Sequence, residues 1–292
     1  MNDDTISKPR ASLEPGLHIV ATPIGNLADL APRARDALAE ADLIACEDKR
    51  HTARLLSHYG ITTATSAYHE HNAAKARPAL LRRLARGEAI ALVSDAGTPL
   101  LSDPGYKLVR EAIDAGIPVT GVPGANAAVL ALVLSGLPSD RYLFAGFPPP
   151  KSAARRAVLE ELRPLKASLV FHESPRRLAS MLEDATAVLG QRGAAVAREL
   201  TKRHEEVRRG SLAELSAHYA DAGPPRGEVT VVIGPPDASA QTLSEAEIDA
   251  RLDALLGEMS VRDASAALTA ETGLPRRVLY ERALARKREG NQ

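Results

Sequence analysis

The segment SDAGTPLLSDPG (94–105) places two Ser-Asp pairs, two prolines and two glycines directly after the apolar run AIALV (89–93). Asp-Ala-Gly and Asp-Pro-Gly are ordinary turn sequences, so two consecutive turns are one interpretation. The other is a ligand site at a strand tip, where Asp95 accepts hydrogen bonds and Gly97 lets the backbone approach the ligand closely. In that interpretation Asp103 caps the helix that follows.

Two further polar clusters end apolar runs, namely CEDKRHT (46–52) and HEHN (69–72). A His-x-His pair near carboxylates can suggest a metal, but the ligand set is incomplete and solvated polar loops are commoner, so we expect no metal site. A substrate-facing rim with an acid/base group fits these residues better. The reason is that His titrates near neutrality and burial can tune Glu upward.

Basic side chains gather in FHESPRR (171–177) and ARELTKRHEEVRRG (197–210). A solvated charged face is one interpretation of both segments. The alternative is that the arginines grip phosphates in a cleft. Lys plus Arg and Asp plus Glu both total 37, so the net charge is zero. A neutral chain gives no global argument for nucleic acid, and the concentrated cations therefore favour a local phosphate site.

Near the carboxyl end, residues 260–284 read as a helix, a glycine-containing turn and a second helix that carries Arg276, Arg277 and Tyr280. This order is typical of a helix-turn-helix, whose second helix contacts nucleic acid. Docking of the helix pair on the protein's own second α/β region is the alternative.

The elements that position these residues follow from the apolar pattern. From residue 17 onward, five β-like runs alternate with helical stretches of about 10–15 residues, which predicts a parallel sheet wrapped by helices. Ligands bind at the carboxyl ends of such strands, which here read TPIGN, CED, HEHN, SDAGTP and VPGANA. In VPGANA (122–127), the N–H groups of Asn126 and Ala127 are predicted to point at the ligand.

The chain divides by composition into four parts. We expect a mobile tail at 1–14, an N-terminal α/β domain at 15–136 and a C-terminal α/β domain at 137–235. After a Pro/Ala/Ser-rich linker, the region 243–292 reads as an extension of three or four short helices.

Several classes of protein are excluded or disfavoured by simple counts. The 292 residues include one cysteine, Cys46, which excludes a disulfide framework and a Cys-rich metal site. There is no apolar run of about 18 residues and no secretory signal, so we expect no membrane span and a reducing cytoplasm. The dinucleotide and P-loop glycine patterns are absent, which disfavours conventional NAD or ATP binding. With no Trp and three Phe, platforms for base stacking are scarce.

Eight segments taken together carry a family resemblance: TPIGNLADLAPRA, CEDKRHT, HEHN, SDAGTPLLSDPG, VPGANA, GLPSDRYLFAGFPP, FHESPRR and RELTKRHEEVRRG. In this order, over residues 17–233, they closely resemble the RsmI family of ribosomal RNA small-subunit methyltransferases, within the tetrapyrrole-methylase superfamily. The resemblance implies two α/β domains with S-adenosylmethionine folded into the cleft between them, often in a homodimer. It also implies 2′-O-methylation of a cytidine ribose in the decoding region of 16S rRNA, within the 30S subunit.

The resemblance also transfers the family's cofactor loops to particular positions. The matching residues are Pro23, Gly25, Ser94, Asp95, Ala96, Thr98, Gly124, Ala125, Asn126, Ala127 and Phe171. One departure is visible, because Lys49 stands where the family commonly has a hydroxyl residue. We therefore assign no catalytic role to position 49.

A ribose 2′-hydroxyl is a poor nucleophile, so orientation should supply much of the rate and a general base a further ~10²–10⁴-fold. The candidates for this base are Glu47, His71, Glu173 and Lys202. The cations expected to hold RNA are Arg50, Arg176, Arg177, Arg198, Arg276 and Arg277. Two alternatives stay open, a tetrapyrrole (precorrin-type) methyltransferase on the same fold and a non-catalytic RNA-binding protein. The arginine-rich strand ends and C-terminal helices argue against the first.

Overall fold

The computed structural model describes residues 13–101, 105–236, 245–272 and 274–289. Asp103, predicted as a helix cap, and residues 1–12 of the predicted tail lie outside the described residues. Within the described ranges, no helix is long and apolar enough to cross a membrane. Both sheets belong to one compact unit that ends at Gly234, and the described helices after it belong to a second unit.

The first sheet is parallel throughout, as the sequence predicts, with the order β3-β2-β4-β1-β5. Its strands are β1 (Gly16–Val20), β2 (Leu43–Cys46), β3 (Thr65–Ala67), β4 (Ala89–Val93) and β5 (Val119–Val122). The helices between and after them are α1 (Pro32–Glu40), α2 (Lys49–His58), α3 (Ala73–Ala85), α4 (Tyr106–Asp114) and α5 (Ala127–Ser135). The central strand β4 is buried at every position, which is why it reads as an unbroken apolar run.

The second sheet is mixed, with the order β6-β7-β10-β8-β9. Its strands are β6 (Tyr142–Phe144), β7 (Ser168–Glu173), β8 (Gly193–Arg198), β9 (Glu206–Ser211) and β10 (Val229–Ile233). Its helices are α6 (Ser152–Leu162), α7 (Leu178–Leu189) and α8 (Leu212–Ala222). Only β6 and β7 run parallel, and the other three pairings are antiparallel.

Two strands of the second sheet were not predicted from the sequence. The strand β6 has three residues, and β9 reads EVRRGS, which has no buried residue. Both lie at the edges of the sheet, where a strand needs no continuous apolar run. The basic segment 197–210 therefore contains the end of β8, a turn and most of β9, which pairs antiparallel with β8.

The helix α5 connects the two sheets. Its Ala128, Ala131 and Leu132 are buried in one cluster with Val170 of β7 and Val232 of β10. The opposite face of the second sheet is covered by a separate core cluster that includes residues of α6, α7 and α8. Because α5 follows β5 directly, this packing fixes the carboxyl edge of the first sheet against the second sheet.

The second unit consists of three described helices, α9 (Glu245–Leu256), α10 (Val261–Thr272) and α11 (Arg276–Glu289). Leu252, Leu268 and Leu279 form its core, one from each helix. Ion pairs join α9 to α11, including Asp249 to Arg282 at 2.6 Å. The predicted helical extension is therefore present as a small core of its own.

Candidate functional site

A cavity of about 490 Å³ lies at the carboxyl edge of the first sheet, and we call it the main cavity. The second sheet and its loops supply its other wall. The residues that line it are Ile24, Glu47, Asp95, Ala96, Gly97, Thr98, Leu101, Asn126, Ala127, Ala128, Phe144, Phe147, His172, Glu173, Ser174, Pro175, Gly227, Glu228, Val229 and Thr230. Of the five strand ends that the sequence predicts to meet, those after β1, β2, β4 and β5 therefore reach this cavity.

Backbone contacts hold the loop after β4 against the loop after β1. Thr22 N donates to Gly97 O at 2.9 Å, and Gly97 N donates back to Thr22 O at 3.1 Å. Gly97 has φ +77°, and a Cβ there would lie 3.2 Å from Ile24 Cγ2. Both the conformation and the space therefore favour glycine at this position.

Two side chains join this loop to its neighbours. Asp95 Oδ1 accepts from the backbone N–H of Asp48 at 3.0 Å, which ties the end of β4 to the end of β2. Thr98 Oγ1 donates to the carbonyl of Ala125 at 3.2 Å, which ties it to the loop after β5. The segment SDAGTP is thus the central connection of the edge, and its Asp95 faces the cavity.

The amino end of α5 opens onto the main cavity. Asn126 Oδ1 accepts from Val129 N at 3.0 Å, so this side chain caps the helix. Gly124 and Ala125 do not line the cavity. A Cβ at Gly124 would lie 2.9 Å from Ala21 Cβ, so this glycine allows the loops after β1 and β5 to approach each other. The helix end favours a negative ligand group.

The second sheet contributes His172 from β7. Its Nδ1 lies 3.1 Å from Thr230 Oγ1, and its ring packs against Phe144 and Phe147 at centroid distances of 5.0 and 5.6 Å. Burial lowers the pKa of His172 below its ordinary value, although the charge of Glu228 opposes this. The imidazole is therefore neutral at pH 7.

Phe171 was predicted to contact the cofactor, and its side chain does not reach the cavity. It is fully buried in the core on the opposite face of the second sheet. Neighbouring residues of a strand point to opposite faces, and His172 lies on the face of β7 that carries Val170, which packs towards α5, rather than on the face of Phe171.

Glu173 is fully buried and holds its neighbours through one oxygen. Its Oε1 accepts from Ser174 N at 2.7 Å and from Arg177, whose Nε and Nη2 lie at 2.8 and 2.6 Å. Its Oε2 is buried, and within the described part of the chain it has no hydrogen-bond partner. Arg177, predicted to bind RNA, is therefore the partner of this carboxylate.

The four candidate bases separate in the structure. Glu47 and Glu173 line the main cavity, whereas His71 is exposed and lines no cavity of the described chain that we identify. Lys202 Nζ bonds Glu199 Oε1 at 2.9 Å and Glu228 Oε2 at 3.0 Å. Burial acts to lower the pKa of Lys202, but these two carboxylates outweigh it and raise the pKa. Lys202 is held protonated, so it is poorly suited to act as a base.

A second cavity of about 240 Å³ lies beside the main one. Its lining residues are Thr22, Pro23, Gly25, Leu27, His51, Thr52, Arg54, Leu55, Ser94 and Asp95. The predicted cofactor residues are thus divided. Ala96, Thr98, Asn126 and Ala127 line the main cavity, Pro23, Gly25 and Ser94 line the second, and Asp95 lines both.

The comparisons with known proteins agree over most of the chain. A sequence model of the Tetrapyrrole (Corrin/Porphyrin) Methylases matches residues 16–216, and one of the RsmI C-terminal HTH domain matches 242–287. The ribosomal RNA small subunit methyltransferase I of Mesorhizobium japonicum is 51% identical over 280 residues, which are 96% of this chain and 95% of the relative. The chain belongs to this family. Its counterpart in Erythrobacter litoralis is 50% identical, over 98% of this chain and 100% of the relative.

Solved structures confirm the fold of this RsmI-family chain. It is similar to the uroporphyrin-III-C-methyltransferase of Thermus thermophilus, with a TM-score of 0.54, 20% identity and coverage of 75% of this chain and 93% of that one. A cobalt precorrin-4 methyltransferase gives a TM-score of 0.55 at 14% identity, covering 75% and 94%. The predicted tetrapyrrole-methylase fold with a C-terminal helical region is therefore confirmed.

The cations predicted to bind RNA lie in several environments of this RsmI-family chain. Arg176 is exposed. Arg50 is also exposed and pairs with Asp48, and its hydrogen bond lowers the pKa of that carboxyl to about 2. Arg198 pairs with Glu206 at 3.0 Å. In the helical unit, a shallow cleft of about 430 Å³ is lined by Arg262, Arg276, Arg277 and Tyr280.

Some lining residues of the RsmI-family site were not predicted from the sequence. They are Phe144, Phe147, His172, Glu228 and Thr230. The segment FHESPRR already contained His172 as a polar residue in an apolar run, which is a usable signal. The others belong to β6, β10 or adjoining loops, where nothing in the local sequence distinguishes a wall residue from a core residue.

Proposed function

We propose that the protein uses S-adenosylmethionine to methylate the ribose 2′-hydroxyl of a cytidine in the decoding region of 16S rRNA. The observation that carries this proposal is the similarity to ribosomal RNA small subunit methyltransferases, which covers 96% and 98% of the chain for two relatives. The substrate we propose is the 30S subunit, which places the protein in the cytoplasm.

The main cavity suits this cofactor in size and chemistry. Its volume of about 490 Å³ falls within the ~300–1,000 Å³ that is usual for small-molecule sites. Asp95 and Glu228 offer carboxylates for a cationic ligand, and Phe144 and Phe147 offer apolar surface. When bound, S-adenosylmethionine supplies an electrophilic methyl group on its sulfonium. One related solved structure, a uroporphyrin-III C-methyltransferase, is complexed with S-adenosyl homocysteine.

Glu173 supports the same assignment. A buried carboxylate oxygen without a partner is costly, and such atoms are normally paired in the working state of a protein. The Oε2 atom would accept a hydrogen bond from an N–H or O–H group of the bound ligand. Since Arg177 and Ser174 fix Oε1, the position of this acceptor is set before the ligand arrives.

We assign the general base to Glu47. Glu47 follows β2, is half-buried and lines the main cavity together with Asp95. The Asp95 carboxylate accepts a hydrogen bond from the backbone N–H of Asp48, the residue after Glu47. In methyl transfer the ribose oxygen forms its bond to the methyl carbon while the carbon–sulfur bond breaks, and its proton must leave. Glu47 takes that proton, and Glu173 remains in its pair with Arg177.

The helical unit is proposed to bind RNA phosphates through its arginine cleft. Arg282 and Arg286 on α11 are bonded to Asp249 and Asp253 of α9, so their charges serve the unit's own structure. Arg276 and Arg277 lie at the amino end of the same helix and are exposed. In a helix-turn-helix, the amino end of the second helix is the part that contacts nucleic acid.

We also propose that the protein is a homodimer. Several large apolar side chains of α4 and α5 are exposed, among them Tyr106, Ile113 and Val133 at 66%, 56% and 65%. Apolar surface of this kind is typical of contact between subunits. Light scattering on the purified protein tests this, with a mass near twice 31.0 kDa as the expected result.

A methylation assay with two acceptors decides between the functions. The acceptors are 30S subunits from a strain that lacks the enzyme, and uroporphyrinogen. We expect transfer to the subunits alone, with 2′-O-methylcytidine identified by mass spectrometry of the nucleosides. Transfer to uroporphyrinogen alone would support the tetrapyrrole alternative, which rests on the shared fold. Binding of the subunits without cofactor binding or transfer would indicate a non-catalytic RNA-binding protein.

A further inference from the structure

The second cavity has features that the cofactor does not require. At about 240 Å³ it is half the volume of the main cavity, so it suits one nucleotide unit better than a tetrapyrrole macrocycle. Of the described residues that line the two cavities, Asp95 is the one they share. A group bound in the second cavity therefore meets the contents of the main cavity at Asp95.

The outer wall of the second cavity carries one permanent cation, Arg54, beside the imidazole of His51. His51 and Arg54 are three residues apart on α2, so they lie on the same face of that helix, and both are exposed. Within the described parts of the chain, the Arg54 guanidinium makes no ion pair or hydrogen bond. Arg50, on the same helix, is engaged by Asp48 at 2.7 Å. Arg54 is thus a cation that α2 presents without an acidic partner.

The inner wall combines apolar and small residues. Leu27 and Leu55 supply apolar surface, and Gly25 keeps the loop after β1 thin where the Lys202 side chain crosses it. Ser94 Oγ is oriented towards the Ala96 carbonyl at 3.2 Å, so the floor beside Asp95 is polar. An apolar wall, a polar floor and a rim that carries an arginine and an imidazole together match the face of a sugar, its hydroxyls and a phosphodiester.

We infer that the second cavity binds the acceptor nucleotide of the RNA, with its phosphodiester on His51 and Arg54 and its ribose against Asp95. The inference rests on the proposed function and adds the place of the second substrate. It assigns Pro23, Gly25 and Ser94 to the RNA side of the site rather than to the cofactor. It also explains why the predicted cofactor residues divide between two cavities.

The test measures RNA binding and cofactor binding separately. Arg54→Ala, His51→Ala and the double variant are compared with the parent for affinity to unmethylated 30S subunits across a range of KCl concentrations. The cofactor product S-adenosylhomocysteine is titrated into each by calorimetry. Arg82→Ala, an exposed arginine of α3 that lines neither cavity, is the control.

For Arg54→Ala we expect affinity for the subunits to fall about tenfold, because a charge-assisted hydrogen bond is lost. The slope of log affinity against log salt should also become shallower by about 0.7–0.9, the value for one phosphate contact. A structural role alone does not change that slope. Affinity for S-adenosylhomocysteine should be unchanged, and Arg82→Ala should match the parent in both measurements.

An unchanged salt slope in the double variant would overturn the inference. So would a loss of S-adenosylhomocysteine affinity with intact RNA binding, because the cavity would then belong to the cofactor. The proposed function fails in a different way. If the parent binds subunits through Arg54 but transfers no methyl group to them, the cavity still binds RNA and the activity is wrong.

Discussion

The two sheets each build half of the main cavity, and they do so by different means. The first sheet is parallel, so the ends of its strands gather at one edge and the loops after them supply Glu47, Asp95 and Asn126. The second sheet is largely antiparallel, so it supplies residues such as His172 and Thr230 from within strands. A loop residue lines the cavity because its strand ends at that edge of the sheet. A strand residue lines the cavity only if its side chain lies on the face of the sheet towards the cavity.

The largest effect should separate two of the carboxylates that line the main cavity, Glu47 beside the first sheet and Glu173 in the second. Glu47→Gln should lower kcat by about 10²–10⁴-fold with little change in cofactor affinity, because it removes the base and keeps the shape. Glu173→Gln should instead weaken cofactor binding, because its acceptor oxygen and its pair with Arg177 both change. Single-turnover methylation of 30S subunits and calorimetry measure the two. Full activity of Glu47→Gln would move the base to another residue.

The next largest effect is expected from a comparison of two adjacent residues of β7, Phe171 and His172. Phe171→Ala should lower the free energy of unfolding by about 3–5 kcal/mol, as is usual for a fully buried phenylalanine. Phe171→Leu should cost less and keep the affinity for S-adenosylhomocysteine. His172→Ala should show the reverse pattern, with a small change in stability and weaker binding. Urea denaturation and calorimetry on all three variants give the comparison, and a binding loss in Phe171→Leu would contradict it.

The difference between the two sheets explains which parts of the fold and of the site could be predicted from the sequence. The parallel first sheet was readable, because β4 is a continuous buried run and its end carries Asp95. Phe171 was predicted to contact the cofactor, but its side chain lies in the core on the other face of the sheet. Choosing the correct face of a strand requires knowing which helices cover each face. Lys202 was predicted as a candidate base, but Glu199 and Glu228 hold it protonated, and Glu228 lies 26 residues away in the sequence. Charged partners brought together by folding leave no local pattern.

Asp95→Ala tests the point where the two cavities meet. Loss of this carboxylate should weaken S-adenosylhomocysteine binding by about 10–100-fold, since a charged acceptor is removed and the Asp48 N–H loses its partner. Asp95→Asn keeps an oxygen for that N–H and removes the charge, so it should recover the stability but not all of the affinity. Calorimetry and thermal unfolding of both variants provide the readout. Retained affinity in Asp95→Ala would remove this residue from the cofactor site.

The smallest effect is the pH dependence that the second sheet contributes through His172. Burial lowers its pKa in the folded protein, so below the ordinary value of about 6.5 the unfolded chain binds a proton that the folded protein does not. The contribution of His172 to stability is therefore complete above about pH 6.5 and is lost as the pH falls towards the folded pKa.

The slope for one proton is at most about 1.4 kcal/mol per pH unit, and Glu228 reduces the shift. His172→Gln should flatten the fall in unfolding free energy between pH 7 and 5, measured by urea denaturation. Equal profiles for parent and His172→Gln would mean that the wall residue titrates as an exposed one. The proposal that strand residues of the second sheet form a buried wall of the main cavity would then fail at His172.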